Sequence, residues 1–225
     1  MSTVQPSIGA ARGWQALFST DASLRLKAFD FIERTAILIL YAFFLSRMLA
    51  AFLSTWNPGN LLMLITESML VGFILCRKSA NSLSLRWSDW ILAFGATSLP
   101  LLAKPLVSAP HVWNDLAVVL MFLGLFVQVV AKFALGRRFG VVAANRGLCL
   151  YGPYRLVRHP IYMGYLLTHI GLCLLSPSMW NLVLFACVYA LQIPRILAEE
   201  RMLSEDQDYQ QYKQIVRFRL VPGLF

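Results

Sequence analysis

The chain has 225 residues, of which 58% are hydrophobic and only 14% charged, with a formal net charge of +9. A typical soluble domain carries about 25% charged residues, so this composition excludes an ordinary soluble enzyme. The basic residues are divided among several loops instead of forming one stripe, which argues against a nucleic-acid partner. Cys76, Cys149, Cys173 and Cys187 lie far apart in the sequence, and they read as separate small apolar fillers, so no metal site is expected.

Residues 1–31 precede the first long apolar run. Their opening is uncharged and that run starts too late for a cleavable leader. Trp14, Leu17, Phe18, Leu24, Leu26 and Phe29 suit an interfacial helix with Arg25 and Lys27 at the headgroups; a flexible leader is the other reading, because Ser19-Thr20-Asp21 has the look of a cap. Six helix-length apolar runs follow: Ala36 to Leu53, Leu61 to Cys76, Trp90 to Val107, Trp113 to Leu135, Ile161 to Leu175 and Trp180 to Ile193. A hydrocarbon core asks for about 17 to 25 residues per helix, so the last two are short. Pro58-Gly59 marks a turn, and Pro100 and Pro105 are expected to bend or end the third run.

Basic residues alternate between the breaks. Arg12, Arg25, Lys27 and Arg34 precede the first run; Arg77, Lys78 and Arg86 follow the second; Arg137, Arg138, Arg146, Arg155 and Arg158 follow the fourth. The intervening breaks are nearly free of them, with Lys104 alone near the third. The positive-inside bias then gives an all-α, polytopic membrane bundle of about six spans with both termini cytoplasmic, its basic loops beside anionic headgroups. For a bacterial chain the plasma membrane is expected. Residues 32–145 form the first part of the bundle and 146–225 a C-terminal core containing the last hairpin.

Gly147 to Gly164 reads GLCLYGPYRLVRHPIYMG. Gly152-Pro153 makes a turn, and Pro160 fits the first turn of the fifth helix, leaving Arg158 and His159 at the membrane boundary. Taken alone, Arg158 suits a lipid phosphate, and His159 and the tyrosines suit the interface. Together with the free amides of a helix start they suit a carboxylate-bearing cofactor, with Tyr154 and Tyr162 offering faces or hydroxyls. Gly164 permits close approach of a ligand or a neighbouring helix. Beyond the sixth run, Arg195 and Glu199 are spaced as an i,i+4 pair, while Glu200 points elsewhere. The short exit Ser176-Pro177-Ser178 makes the last two helices antiparallel neighbours, so His159 and Glu199-Glu200 return to one level.

The strings GPYRLVRHPIYMG, RILAEERML and YQQYKQIVRFRLVPGLF resemble the C-terminal region of the isoprenylcysteine carboxyl methyltransferase and phospholipid methyltransferase superfamily of integral membrane enzymes. The likeness is strong over about the last 80 residues. It implies an S-adenosylmethionine site in which Gly152, Pro153, Tyr154, Arg158, His159, Pro160, Tyr162, Gly164, Glu199, Glu200, Tyr209 and Tyr212 contact the cofactor, closed by a tail carrying Arg217, Arg219 and Pro222. The chain departs from the family at Glu205-Asp206-Gln207-Asp208, where many relatives carry an aromatic-glycine pair, and this points to a divergent substrate group.

The reaction so implied is methyl transfer to a lipophilic acceptor presented from the membrane. An isoprenylcysteine-type carboxylate would be oriented by Arg195, or by Arg158. A phospholipid amine would need a base, for which Glu200 is the candidate. Rival readings are a non-catalytic scaffold or lipid-binding protein and an NADPH-dependent sterol-type reductase, whose RHP-like loop is similar but whose later pattern has Arg-Asp-Glu in place of Ala198-Glu199-Glu200. The sequence does not choose the acceptor or the oligomeric state.

Overall fold

The computed structural model describes residues 8–56, 58–103, 113–175 and 177–225. Seven α-helices follow in order among them: α1 (Ile8–Thr55), α2 (Pro58–Cys76), α3 (Trp87–Ser98), α4 (Asn114–Leu135), α5 (Pro160–Leu175), α6 (Met179–Leu203) and α7 (Gln207–Ile215). The protein is an all-α membrane bundle. Leu24–Ser54, Asp115–Arg138 and Met179–Leu203 are long and apolar enough to cross a membrane, and Pro160–Leu175 is a shorter apolar helix. Large side chains such as Ile39, Phe43, Phe126 and Leu182 are exposed along these helices, as expected where lipid replaces water as solvent.

Each apolar run lies on a helix, but several boundaries differ from the sequence reading. The backbone of α1 passes through Ser19-Thr20-Asp21 without a break, so that triplet starts no separate helix. Among the described residues the third run holds the 12-residue α3, followed by a 3-10 turn at Leu99–Leu102 because Pro100 supplies no amide to continue the ladder. Lys104 and Pro105 lie outside the described residues, as does Ser176 of the tight exit. The helix of the sixth run does not stop where the apolar run does, at Ile193: α6 continues through Pro194 to Leu203.

The largest revision concerns the last hairpin. α5 packs along α4, and α6 packs along α3, so α5 and α6 touch little although they are consecutive. Glycines make the α4–α5 contact close. A Cβ on Gly124 would lie 2.6 Å from the Gly164 carbonyl oxygen, one on Gly164 would lie 2.7 Å from the Gly124 carbonyl oxygen, and one on Gly171 would lie 2.6 Å from the Ala117 carbonyl oxygen. The two helices meet backbone to backbone, the usual device where lipid gives no hydrophobic drive to helix association. α6 therefore stands away from α5 and leaves space between them.

The loops at the His159 end are tied together by backbone pairing between segments distant in sequence. Ser82–Leu83 pairs antiparallel with Ala144–Asn145, joining the α2–α3 loop to the α4–α5 loop. The chain end folds back over the start of α5, where the amides of Arg158 and His159 donate to the carbonyls of Phe218 and Arg219 at 3.0 and 2.8 Å. In turn Arg219, Leu220 and Val221 donate to the Phe225 carbonyl.

Candidate functional site

α5 begins at Pro160, which fixes the backbone without needing a donor and sets His159 and Tyr162 one turn apart. Their rings stack with centroids 5.7 Å apart. α6 brings Arg195 and Glu199 to the same place by their i,i+4 spacing, with Arg195 Nε 3.5 Å from Glu199 Oε1. The Tyr162 hydroxyl donates to that same Oε1. His159 Nδ1 lies 3.7 Å from Glu199 Oε2, and the Arg195 guanidinium sits 5.2 Å over the Tyr162 ring. His159, Tyr162, Arg195 and Glu199 thus form one cluster bridging two helices whose backbones make few contacts. Arg195 Nε and His159 Nε2 are buried and make no well-formed hydrogen bond among the described residues, facing Glu199 Oε1 at 3.5 Å and Glu200 Oε1 at 3.4 Å.

The cluster closes one end of a cavity of about 950 Å³, at the upper end of the range for small-molecule sites. Around the polar end stand Arg138, Arg146 and Tyr154. Away from it the lining becomes apolar, with Phe44 and Met48 of α1, Met121 and Leu125 of α4, and Leu172 of α5. Since α5 runs away from His159 and α6 runs toward Glu199, the apolar part lies along the apolar lengths of these helices. A single space therefore offers charged and aromatic groups at one end and hydrocarbon contacts at the other.

Glu200, one residue further, points away from the cavity by the 100-degree step of a helix. It accepts from Arg158 Nε at 2.6 Å and from Arg219 Nε at 2.8 Å, and lies 3.4 Å from His159 Nε2. Arg158 also donates through NH1 to the carbonyls of Val216 and Arg217 at 2.7 and 2.8 Å. The Arg158–Glu200 pair is thus a buried clamp on the tail. This corrects two expectations: a carboxylate holding two guanidinium groups is not poised to take a proton, and Arg158 is committed to the tail instead of to a lipid phosphate or an acceptor. The amides of Arg158 and His159, just before the helix start, are likewise taken by tail carbonyls.

Of the residues singled out from the sequence, Tyr154, Arg158, His159, Tyr162, Arg195 and Glu199 line the cavity, while Gly152, Pro153, Pro160, Gly164, Glu200, Tyr209 and Tyr212 do not. Gly152 has φ 62° and serves the turn onto the 3-10 segment Gly152–Arg155. Gly164 is used by α4, the second of its two alternatives. Tyr212 donates to the Tyr154 carbonyl at 2.6 Å, and Tyr209 packs against it and faces Glu200, so both pin α7 beneath the loop. Burial is the main cause that pushes the hydroxyls of Tyr154, Tyr209 and Tyr212 well above the usual tyrosine range.

Sequence reasoning missed the cluster that holds the cavity wall. Glu33 is fully buried; its Oε1 accepts the amides of Val141 and Val142 at 2.8 and 2.9 Å, and its Oε2 accepts from Arg77 and Arg146 at 2.9 and 2.8 Å. Asp30 Oδ1 takes the same two arginines at 3.0 and 2.9 Å. Arg77 and Arg146 are therefore not headgroup anchors but partners of two acids at the start of the first span. The Val141 carbonyl then accepts from Arg195 NH2 at 2.8 Å, so Glu33 positions Arg195 through the loop. The available signal was the placement of two acids, in a chain with only 11 acidic residues, one turn apart at the edge of a long apolar run. Gly140 completes the fit, since a Cβ there would meet the Arg146 guanidinium at 2.1 Å.

Among known proteins, residues 113–210 match the family model described as Phospholipid methyltransferase. The superfamily likeness read from the sequence is borne out over that segment. A solved structure of the eukaryotic intramembrane Ras methyltransferase ICMT (isoprenylcysteine carboxyl methyltransferase) is similar at a TM-score of 0.49 and 18% sequence identity, covering 97% of this chain and 88% of that one. No curated protein matches the sequence.

Proposed function

We propose, from the premise that residues 113–210 carry a segment of the phospholipid methyltransferase family, that the protein is an S-adenosylmethionine-dependent methyltransferase of a lipophilic acceptor. The observation that carries the reading is the cluster of His159, Tyr162, Arg195 and Glu199 at the polar end of a cavity whose other end is apolar. A polar methyl donor and a hydrophobic acceptor need one meeting place with two unlike halves. The residues present fit the donor: Glu199 complements its positive groups, and His159, Tyr154 and Tyr162 offer aromatic faces along the cavity. When bound, the cofactor supplies an electrophilic methyl carbon on a sulfonium.

The chain's own contribution is positioning and exclusion of water, which by themselves account for much of a methyl transfer's acceleration. Tyr162 and Arg195 hold the Glu199 carboxylate in one orientation from two sides. The tail, fastened by Arg158 and Glu200, covers the start of α5. We read the acceptor first as a carboxylate, as in an isoprenylcysteine-type lipid, because Arg195 is a buried cation lining the cavity whose Nε, 3.5 Å from Glu199, is not engaged in a well-formed hydrogen bond, and a carboxylate is already a nucleophile at neutral pH. The second reading, an amine lipid, is favoured by Glu199 being the acid that lines the cavity; Glu199 then replaces Glu200 as the proton acceptor. The His159 end would face the cytoplasm, where the donor is made.

The test is equilibrium binding of S-adenosylmethionine to the detergent-purified full chain, with His159→Ala and Glu199→Gln compared. Saturable binding weakened at least about ten-fold in both variants is expected, the loss of one charge-assisted contact being worth about 1.5–3 kcal/mol. Absence of binding by folded protein, together with binding of a nicotinamide cofactor or of lipid alone, would replace this reading by the reductase or the scaffold.

A further inference from the structure

The cavity holds a second layer of polar groups well below the first. Gln192 precedes Glu199 by seven residues on α6, and His169 follows Tyr162 by seven on α5. Seven residues of helix amount to about 10 Å. Because the helices run in opposite directions, both steps lead the same way, from the polar end toward the apolar end. His169 Nδ1 is 3.0 Å from the Tyr189 hydroxyl, and its ring stacks on Phe185 with centroids 4.3 Å apart. Across the cavity Gln128 Nε2 donates to Thr168 Oγ1 at 2.9 Å, and Thr168 donates to the Gly164 carbonyl. His169, Tyr189, Gln128 and Thr168 are thus partnered. Gln192 is not: the residue is only 4% exposed, it lines the cavity, and its Nε2 has no hydrogen-bond partner among the described residues.

A buried amide donor at bilayer depth costs free energy unless something accepts from it. A plain prenyl or alkyl chain offers nothing there, whereas a chain bearing a carbonyl oxygen at the right distance does. We propose that Gln192, on the rim formed with the His169–Tyr189 pair, is a specificity subsite for a carbonyl oxygen about 10 Å along the acceptor lipid from the end held at Arg195 and Glu199. The acceptor is then a lipid with an oxygenated chain, which keeps the carboxylate head read above but replaces the isoprenyl chain given there as its example. This rests on the methyltransferase reading only for the name of the occupant; the subsite itself is a property of the cavity.

The experiment measures binding without any methyl donor, so its failure is separate from failure of the methyltransferase reading. The probes are two matched pairs in detergent: hexadecanoic acid with 9-oxohexadecanoic acid, and hexadecylamine with its 9-oxo counterpart, in which the ketone stands about 10 Å from the head when extended. Tryptophan fluorescence titration of the wild-type full chain is expected to give about five-fold tighter binding of the oxo member in at least one pair, the worth of one hydrogen bond to a buried donor. Gln192→Leu is expected to reduce that preference to within two-fold, and Gln192→Met serves as a second apolar variant of similar length if the first does not fold. Equal binding of both members of both pairs by the wild-type chain overturns the proposal, as does an undiminished preference in the folded variants. Loss of S-adenosylmethionine binding with the oxo preference intact would overturn the enzyme and leave the subsite standing.

Discussion

Replacing Glu33 by alanine removes the acid that ties α1 to the cavity wall. Four hydrogen bonds end on its two oxygens, from the Val141 and Val142 amides and from Arg77 and Arg146. After truncation Asp30 is left with both guanidinium groups, and two amides lose their acceptor inside a site from which water is excluded. Breaking one side of a buried, hydrogen-bonded ion cluster costs about 3–5 kcal/mol. Because Val141 also accepts from Arg195, the same change releases the guanidinium at the cavity. The assay is reversible unfolding of the purified chain by titration with SDS in mixed micelles. The variant is expected to lose about 3–5 kcal/mol of stability, and to weaken methyl-donor binding under conditions where it remains folded. Glu33→Gln, which keeps an acceptor oxygen but not the charge, should fall between the two. A Glu33→Ala chain within about 1 kcal/mol of wild type would refute the reasoning, because it would mean that water or a rearranged Asp30 satisfies these groups.

Two further outcomes are expected. Gly164→Ala places a Cβ 2.6 Å from Gln128 Cγ and 2.7 Å from the Gly124 carbonyl oxygen, so it should destabilise the α4–α5 contact by about 1–3 kcal/mol in the same titration; an unchanged midpoint would show that α4 shifts freely. Tyr154, Tyr209 and Tyr212 have hydroxyls whose folded-state pKa values are raised by burial. Their contribution is fully present below the unfolded tyrosine value and is lost as pH rises above about 10, where the unfolded chain releases protons that the folded one keeps. Stability measured from pH 8 to 11 should therefore fall above about 10, and Tyr212→Phe should fall less steeply while starting about 0.5–1.5 kcal/mol lower for the lost bond to Tyr154; parallel curves would contradict the assignment.

Much of the site was legible because it rests on local rules. Helical spacing alone joined Arg195 to Glu199 and turned Glu200 aside, and a chain that returns through a short exit had to bring His159 to the same level. What spacing does not encode is which long-range partner a charge meets. Arg77, Arg146 and Arg158 obey the positive-inside pattern as well as any headgroup anchor would, and only the folded chain tells that Asp30, Glu33 and Glu200 neutralise them. Gly164 fits a ligand loop or a helix contact equally in sequence; its opposite number, Gly124, lies 40 positions away on a helix that local reasoning had no cause to pair with α5. The same reasoning made α5 and α6 close neighbours, because it counted loop length and could not weigh the α4–α5 glycine contact that draws α5 elsewhere. The cavity between them is a consequence of that competition.

The most direct measurement of the central claim is methyl transfer itself. Purified chain would be incubated with a total membrane lipid extract and S-adenosylmethionine labelled with deuterium in the methyl group, followed by mass spectrometry of the lipids. The account predicts a lipid species that gains a trideuteromethyl group with the wild-type chain and not with His159→Ala or Glu199→Gln. Folded wild-type protein that binds the donor yet labels no lipid, or labels it equally when Glu199 is replaced, would contradict it.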